Sequence, residues 1–511
     1  MKDLVPYLYS LLDSGDYEMA KKKVEAALKE VEELPEGQKM FPKIELYGFM
    51  IDIGCETGNV PDVEEAIRFF TENEQEIKEL ISPASYYYNL GNAKHGICKI
   101  FYFHNRGVHS IGICREKFQE PIDLYWLAYK NIKGDNLLTL PLLVNLSDAL
   151  STIGRIVEGI QMLDTALRIK PDFSRALLSR GEKLDHLSLI TNCSHTIALY
   201  AQIYLSYSKG IEAELLPEMD KERALLALKK SMQQLDENGF SINQRETELN
   251  ESHKEYGQHS EYRKFCIDNF LTLNEHSIYC NCIATAKDEL QIGRPNAVFE
   301  NRLLPKLELL LNRMKSEFAR WMFYGSFVEE PFDYDVVFSE LFEDEIINSQ
   351  TETLRTSFRI CYGILDKVAL GICKMYGVEG GNIFFERFWD EKSRKSILEA
   401  QRNIHLNALS SIANDLNSNR GELKHFKNWR NKLEHNLLIL KDTSNTSMDQ
   451  FNILADEAFV AIIDIHEFRE KALHLLQLTR AAILSFVYCI RLETITKKDP
   501  KAEKVATIFT K

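Results

Sequence analysis

The sequence predicts an all-α fold, with an array of helical hairpins in its N-terminal third and a separate helical bundle at its C-terminus. Three observations carry this. Only 24 Gly and 13 Pro interrupt 511 residues. The stretches between them carry apolar residues three and four apart, the helical and not the strand period. A pattern of small and large residues also recurs every ~34 residues near the N-terminus, as it does when each hairpin buries its face on the next.

A chain this long exceeds what one core supports, so two to four domains are expected. The predicted boundaries are repeats over 1–190, a helical connector over 191–290 and a helical domain over 291–511. The connector contains a polar loop near 232–262 ("QQLDENGFSINQRETELNESHKEYGQHSEY"), which lacks the apolar stripe of a packed helix. A second irregular stretch, acidic and aromatic, runs from Glu329 to Asp344 between helices expected at Leu304–Phe323 and Thr353–Tyr376.

A formal charge of -14 gives no global attraction to polyanions, so a nucleic-acid site would be a local basic patch on an acidic body. Asp3, Asp13 and Asp16 spoil any secretory apolar core, and no signal peptide is expected. The longest apolar run, Ala481 to Ile490, is bracketed by Arg480 and Arg491. It falls short of the ~20 residues of a membrane-spanning helix and is predicted to be a buried one. Ten cysteines show no disulfide framework and no C-x-x-C. Reduced thiols and a cytoplasmic location are expected, without a membrane partner. Cys266, His276, Cys280 and Cys282 are conceivable zinc ligands, but C-x-C with one His is not a standard structural spacing. Neither a metal nor another cofactor is expected.

The clearest hairpin runs from Leu143 to Pro171, with Leu143, Leu146, Ser147, Leu150, Gly154, Gly159, Leu163, Ala166 and Pro171 at large, small and helix-ending positions. This segment resembles a tetratricopeptide repeat. The small residues 147, 159 and 166 let two helices approach, and Pro171 ends the second. Leu4, Leu8, Leu11, Gly15, Tyr17, Ala20, Val24 and Ala27 repeat the theme, and "GNVPDVEEAIRFF" looks like the second helix of another copy. A further copy opens at Tyr87, Leu90 and Gly91 and closes at Tyr125 and Ala128. It is over-long and carries Pro121 where a small residue is usual. Such arrays present a concave face to a peptide or protein; the alternative is a scaffold that only packs on the rest of the chain.

Chemistry concentrates in "HFKNWRNKLEHNLLIL", residues 425–440. Read as one helix, Phe426, Trp429, Leu433, Leu437 and Leu440 form an apolar stripe. At ~100° per residue, His435 and Asn431 lie on the opposite face, with Arg430 at its flank. An imidazole can move protons near neutral pH, and a guanidinium can hold a phosphate as charge develops on it. The bland alternative is an ordinary solvated His beside Arg and Lys. Arg420/His425 and Arg469/His474 share the same five-residue spacing. However, Arg420 precedes Gly421 in a predicted turn, and His474 follows His466 in a helix with an apolar face of Phe459, Ile462, Ile463 and Leu473.

Arg430-Asn431-x-x-x-His435 resembles the core motif of the HEPN domain, a helical bundle whose active members are metal-independent ribonucleases. "YRKFCIDNFLTLNEHS" (262–277), "LLPKLELLLNRMKSEFARWMFYGSF" (303–327) and "TLRTSFRICYGILDKVALGI" (353–372) look like blocks of its LA2681-like group, which joins a repeat-rich N-terminus to such a domain in bacterial conflict systems. The resemblance implies a homodimer in which two copies of Arg430 and His435 line one cleft, with Asn431 beside them. There the RNA 2′-hydroxyl attacks the adjacent phosphate, leaving a 2′,3′-cyclic phosphate and a 5′-hydroxyl without metal.

Lys424, Lys427 and Lys432 are the candidate RNA-binding cations, with Lys392, Arg394 and Lys395 beyond them. Trp429 offers a stacking surface but fits the apolar stripe better. The final "TKKDPKAEK" reads as a solvated tail. Asp366 could buttress the site from another helix or be a plain surface carboxylate. Phosphate-binding Gly-rich loops, H-E-x-x-H and nucleophile elbows are absent from the sequence. The resulting expectation is an RNA-cleaving effector of a prokaryotic defence or toxin system, controlled through its repeats. The rivals are a non-catalytic repeat scaffold or sensor whose C-terminal bundle only dimerises, and a peptide-responsive transcription regulator.

Overall fold

Helical periodicity becomes helix in both parts of the chain. The computed structural model describes residues 3–105, 115–134, 137–191, 196–213, 218–237, 239, 255–292, 303–321, 349–378, 383–417, 421, 423–442 and 460–498. These fall into two compact units, one within 1–189 and 197–242, the other within 190–196 and 243–503.

The first unit is built of helices α1 (Leu4–Asp13), α2 (Tyr17–Glu32), α3 (Glu36–Thr57), α4 (Val60–Glu72), α5 (Glu74–Ile81), α6 (Pro83–Asn105), α7 (Arg115–Lys130), α8 (Thr139–Thr152), α9 (Ile156–Ile169), α10 (Ser174–Ser188), α11 (Thr196–Ala213) and α12 (Glu218–Glu237). Each of the four segments read as repeats lies in such helices: α1/α2, α4 behind α3, α6/α7, and α8/α9. The reasons are local. Asp16 caps α2 by accepting from Met19 N at 3.2 Å, and Ala20, Val24, Ala27 and Val31 then bury one stripe against Leu8, Leu46 and Phe49. Gly91 lets α6 lie on the Tyr125 ring of α7, where a Cβ would stand 2.8 Å from that ring. Gly159 does the same for α8 and α9, since a Cβ there would fall 2.4 Å from Ser151 Oγ. Pro121 sits buried inside α7.

A polar seam runs along one set of these helices. Asn145 Nδ2 donates to Tyr88 Oη (3.0 Å) and Asn92 Oδ1 (2.9 Å), and Tyr125 Oη donates to the same Asn92 oxygen (2.9 Å). Lys183 Nζ and Ser179 Oγ both donate to Asp148 Oδ1, at 2.8 and 3.1 Å. Burial alone would raise the Asp148 carboxyl, but Lys183 and Lys99 hold it below the usual carboxylate range.

The second unit contains α13 (Glu261–Asp268), two short 3₁₀ turns (Glu275–Ile278 and Ile283–Ala286), α14 (Leu303–Trp321), α15 (Ser349–Tyr376), α16 (Lys392–Glu399), α17 (Ile404–Asp415), α18 (Lys424–His435), strands β1 (Leu437–Lys441) and β2 (Val460–Asp464), and α19 (Ile465–Lys498). α15 and α17 pack on α19, and α14 packs on α15. From Ala481 to Leu492 every residue of α19 is buried. By length and composition α19 is apolar enough to cross a membrane, but its apolar stretch is covered by this unit.

Three features depart from the sequence reading. First, the helix expected over 425–440 stops at His435. Leu437–Lys441 instead forms a parallel strand pair with β2, in register from Leu437↔Val460 to Lys441↔Asp464. Leu438, Ile439 and Leu440 are buried, Arg355 Nη2 donates to Leu438 O (3.0 Å), and Leu437, assigned to the stripe, is exposed. Second, His466 is not on an apolar helical face. Ile462 and Ile463 belong to β2, Asp464 caps α19 through His466 N (2.8 Å) and Glu467 N (3.0 Å), and His466 is exposed. Third, the expected connector is divided: 197–237 falls with the repeats and 255–292 with the C-terminal helices. Residues 232–237 of the polar stretch are the end of α12, while 240–254 and the whole of Glu329–Asp344 lie outside the described residues.

Segment 269–292 is fastened to α19 by polar contacts. Gln477 Nε2 donates to Asn269 O (3.0 Å), Arg480 Nε to Thr272 O (2.8 Å), and Arg491 Nε to Ile292 O (3.0 Å). Arg491 also makes a two-pronged ion pair with Glu275, at 2.6 and 2.9 Å, with both residues buried. Replacing only one partner leaves the other charge buried without compensation, at a cost of about 3–5 kcal/mol. Arg491→Met should therefore lower the urea-unfolding free energy of this unit by that amount; a loss under ~1 kcal/mol would show the pair to be dispensable.

Candidate functional site

The site is set by how α18 divides its two faces. Phe426 and Trp429 point inward and meet Phe358 of α15 and Phe468 of α19. Ring centroids lie 5.6 Å (Phe358–Phe426), 5.4 Å (Phe358–Phe468) and 5.5 Å (Trp429–Phe468) apart. These aromatic contacts fix the rotation of α18 about its axis. Arg430 and Asn431 are half-buried, and His435, its last residue, is exposed.

Arg430 does not simply reach into water. Its guanidinium carbon lies 5.8 Å from the centre of the Tyr362 ring, one turn before Asp366 on α15. The Asp366 carboxylate accepts from Phe385 N at 2.9 Å. Burial pushes this carboxyl up to about 6, with Glu386 adding to the rise while the Phe385 N–H, Arg430 and Lys367 oppose it. Tyr362 is buried, and its hydroxyl has no hydrogen-bond partner among the described residues. Burial, followed by the Glu386 charge, drives that phenol well above its usual range. Asp366 is thus a half-buried carboxylate within the electrostatic reach of Arg430.

The candidate RNA-binding lysines separate. Lys424 is exposed. Lys427 is buried and its ammonium is paired with the equally buried Glu386, and Lys432 is buried too, at 4% exposure. As placed, neither presents a free solvent-facing cation to a polynucleotide. Arg394 is also buried and pairs with Glu391 at 3.0 Å, whereas Lys395 is exposed. The Lys392 side chain, Arg420 and residues 499–504 of the C-terminal tail lie outside the described positions.

The two other Arg/His spacings have different surroundings. His425 is half-buried against the rings of Phe426 and Trp429, and His474 packs on Phe426 with centroids 6.1 Å apart. Of the three imidazoles only His435 is exposed.

Tyr362 and Glu386 were not singled out in the sequence. Tyr362 carried a usable signal, since it precedes Asp366 by four residues and therefore shares its helical face. Glu386 carried none, because only the fold brings it to Lys427, 41 residues away.

A helical domain with an Arg-Asn-x-x-x-His helix clamped on its aromatic side and polar on the other is the class defined here. Residues 299–493 match the family model described as LA2681-like HEPN. The match covers the helical bundle from α14 to α19 and leaves the hairpin array and residues 255–292 outside it. No curated protein matches the chain.

The raised Asp366 carboxyl has a pH signature. A carboxyl whose folded value lies above its unfolded value stabilises the fold fully below the unfolded value, near 3.8, and loses that advantage as pH rises through about 6. Asp366→Asn keeps an acceptor for Phe385 N and removes the charge. It should gain stability relative to the parent protein between pH 4 and pH 7 in paired urea titrations; parallel curves across that range would refute the assignment.

Proposed function

We propose that the chain is a metal-independent endoribonuclease effector of a prokaryotic defence or toxin system, acting in the cytoplasm and controlled through its repeat unit. The observation that carries this reading is the exposed imidazole of His435 on the same short helix as the half-buried Arg430, with the aromatic clamp fixing that helix from behind. The match of residues 299–493 to a HEPN family supports it.

In this reading Arg430, oriented by Tyr362 and Asp366, holds the scissile phosphate by paired hydrogen bonds. His435 takes the proton from the 2′-hydroxyl, whose oxygen attacks phosphorus as the P–O5′ bond breaks. The imidazole of a second copy protonates the leaving 5′-oxygen, and Asn431 offers an amide to the phosphate. The products are a 2′,3′-cyclic phosphate and a 5′-hydroxyl. Two copies of the bundle complete the cleft, so the protein acts as a homodimer, and Lys424 is the lysine of α18 free to meet the RNA backbone. The repeat unit is the part of the chain through which a peptide or protein would switch the nuclease.

The purified full chain, incubated with total RNA in buffer without magnesium or other added divalent metal, should yield fragments with cyclic-phosphate ends. Arg430→Ala and His435→Ala should each lower cleavage by about 10²–10⁴-fold. Cleavage unchanged in both variants would place the activity elsewhere.

The shared cleft is separately testable. Mixing differently tagged parent and His435→Ala chains and isolating the mixed dimer should give far less than half of the parent activity, because one imidazole of the pair is missing. Half activity, or a monomer by light scattering in the active fraction, would contradict a composite site.

A further inference from the structure

We propose a structural zinc site whose protein ligands are His276, Cys280 and Cys282. The ligating atoms of His276, Cys280 and Cys282 all lie within 4.8 Å of one another, and His276 Nε2 is 2.9 Å from Cys282 Sγ. The C-x-C spacing alone is not a standard zinc signature, but the fold supplies what the spacing lacks. The 3₁₀ turn at Glu275–Ile278 carries the imidazole back over the two thiols. Cys266, the fourth residue considered from sequence, is not in this group; it is buried on α13 beside Tyr262.

The surrounding bonds are those of a built site. Asn274 Oδ1 accepts from His276 N (2.9 Å), while its Nδ2 donates to Ala284 O (3.1 Å) and Lys287 O (2.7 Å), so one side chain ties the histidine turn to the cysteine loop. Cys282 O accepts from Thr285 N (3.0 Å) and Oγ1 (2.7 Å), and the Tyr279 ring stands edge-on to His276 with centroids 5.0 Å apart. Positioning of ligands by outer bonds of this kind is what metal sites require.

His259, in the turn before α13, is buried with its Nε2 3.3 Å from the carbonyl of Asn281, the residue between the two cysteines, and so helps to hold the cysteine loop in place. Two thiolates and an imidazole select zinc over the harder divalent cations. The 2.9 Å contact is a thiol–imidazole hydrogen bond. It opens to the ~3.6 Å edge of a zinc tetrahedron by a small side-chain movement.

The role is structural. His276 is flanked by Glu275, which pairs with Arg491, and by Ser277, whose Oγ accepts from Arg480 Nη2 at 3.1 Å. A metal here locks the segment that satisfies both buried arginines of α19. The site lies outside residues 299–493 and supplies nothing to the proposed chemistry, so a zinc-loaded chain without nuclease activity would refute only the previous reading.

The test uses the full chain purified without chelators. Elemental analysis should find about one zinc per chain, falling at least tenfold in Cys282→Ser and in His276→Gln. To avoid dependence on variants that misfold, the parent protein is also titrated with a mercurial thiol reagent while released zinc is read with a chromogenic chelator. Cobalt substituted for zinc should show thiolate-to-metal charge transfer and tetrahedral visible bands. Zinc no higher than in a Cys280→Ser/Cys282→Ser chain, a cobalt spectrum without thiolate bands, or a Cys280–Cys282 disulfide in a non-reduced peptide map would each overturn the proposal.

Discussion

A helix buried over three turns tolerates charge only where every charged group finds partners, and α19 carries Arg480 and Arg491 at the two ends of its apolar run. Burial pulls Arg480 down to about 10, a measure of how far it has been taken out of water. Its partners are a backbone carbonyl and a serine hydroxyl, while Arg491 takes Glu275 and the carbonyls of Ile190 and Ile292. All lie far back in the chain. The segment before the family-matched region is therefore part of the same folding unit: without it, α19 would bury two guanidinium groups with nothing to receive them.

α15 transmits that order to the site. Its Phe358 touches Phe426, Trp429 and Phe468, so one residue joins α18 to α19. One turn further on, Tyr362 lies beneath Arg430, and a turn beyond that Asp366 reaches the backbone of Phe385. The same helix thus sets the rotation of α18 on its apolar side and the electrostatics of its arginine on its polar side. Arg355, near the other end of α15, holds the carbonyl of Leu438 and so positions the strand that follows His435.

Sequence periodicity exposed the parts of this arrangement that depend on neighbours in the chain. The hairpins of the first unit were legible because small residues such as Gly159 and Ser147 must recur where helices touch. The polar face of α18 was legible because helix geometry fixes where Arg430 and His435 point. What failed was long-range. Leu437 and Leu440 continue the three- and four-residue steps of α18, so nothing local separates a longer helix from a strand; β2, about 20 residues on, decides it by offering backbone partners. Lys427 looked like a solvent-facing cation until Glu386 claimed it. The thiols at 280 and 282 looked incidental until the turn at 275–278 brought an imidazole onto them.

The loss of Lys427 and Lys432 as free cations bears on how such a site would hold a polyanion. On a body with a formal charge of -14, α18 offers an RNA backbone one exposed lysine, one half-buried arginine and an imidazole. Neutralisation of phosphates by Lys and Arg supplies a large share of the affinity for nucleic acid. One copy is poorly equipped for this, whereas in the proposed dimer two copies would double the cations along a single strand and supply a second imidazole. The weak electrostatics of the single copy and the need of the proposed reaction for both a proton acceptor and a proton donor thus favour the same proposal, a site shared between two chains.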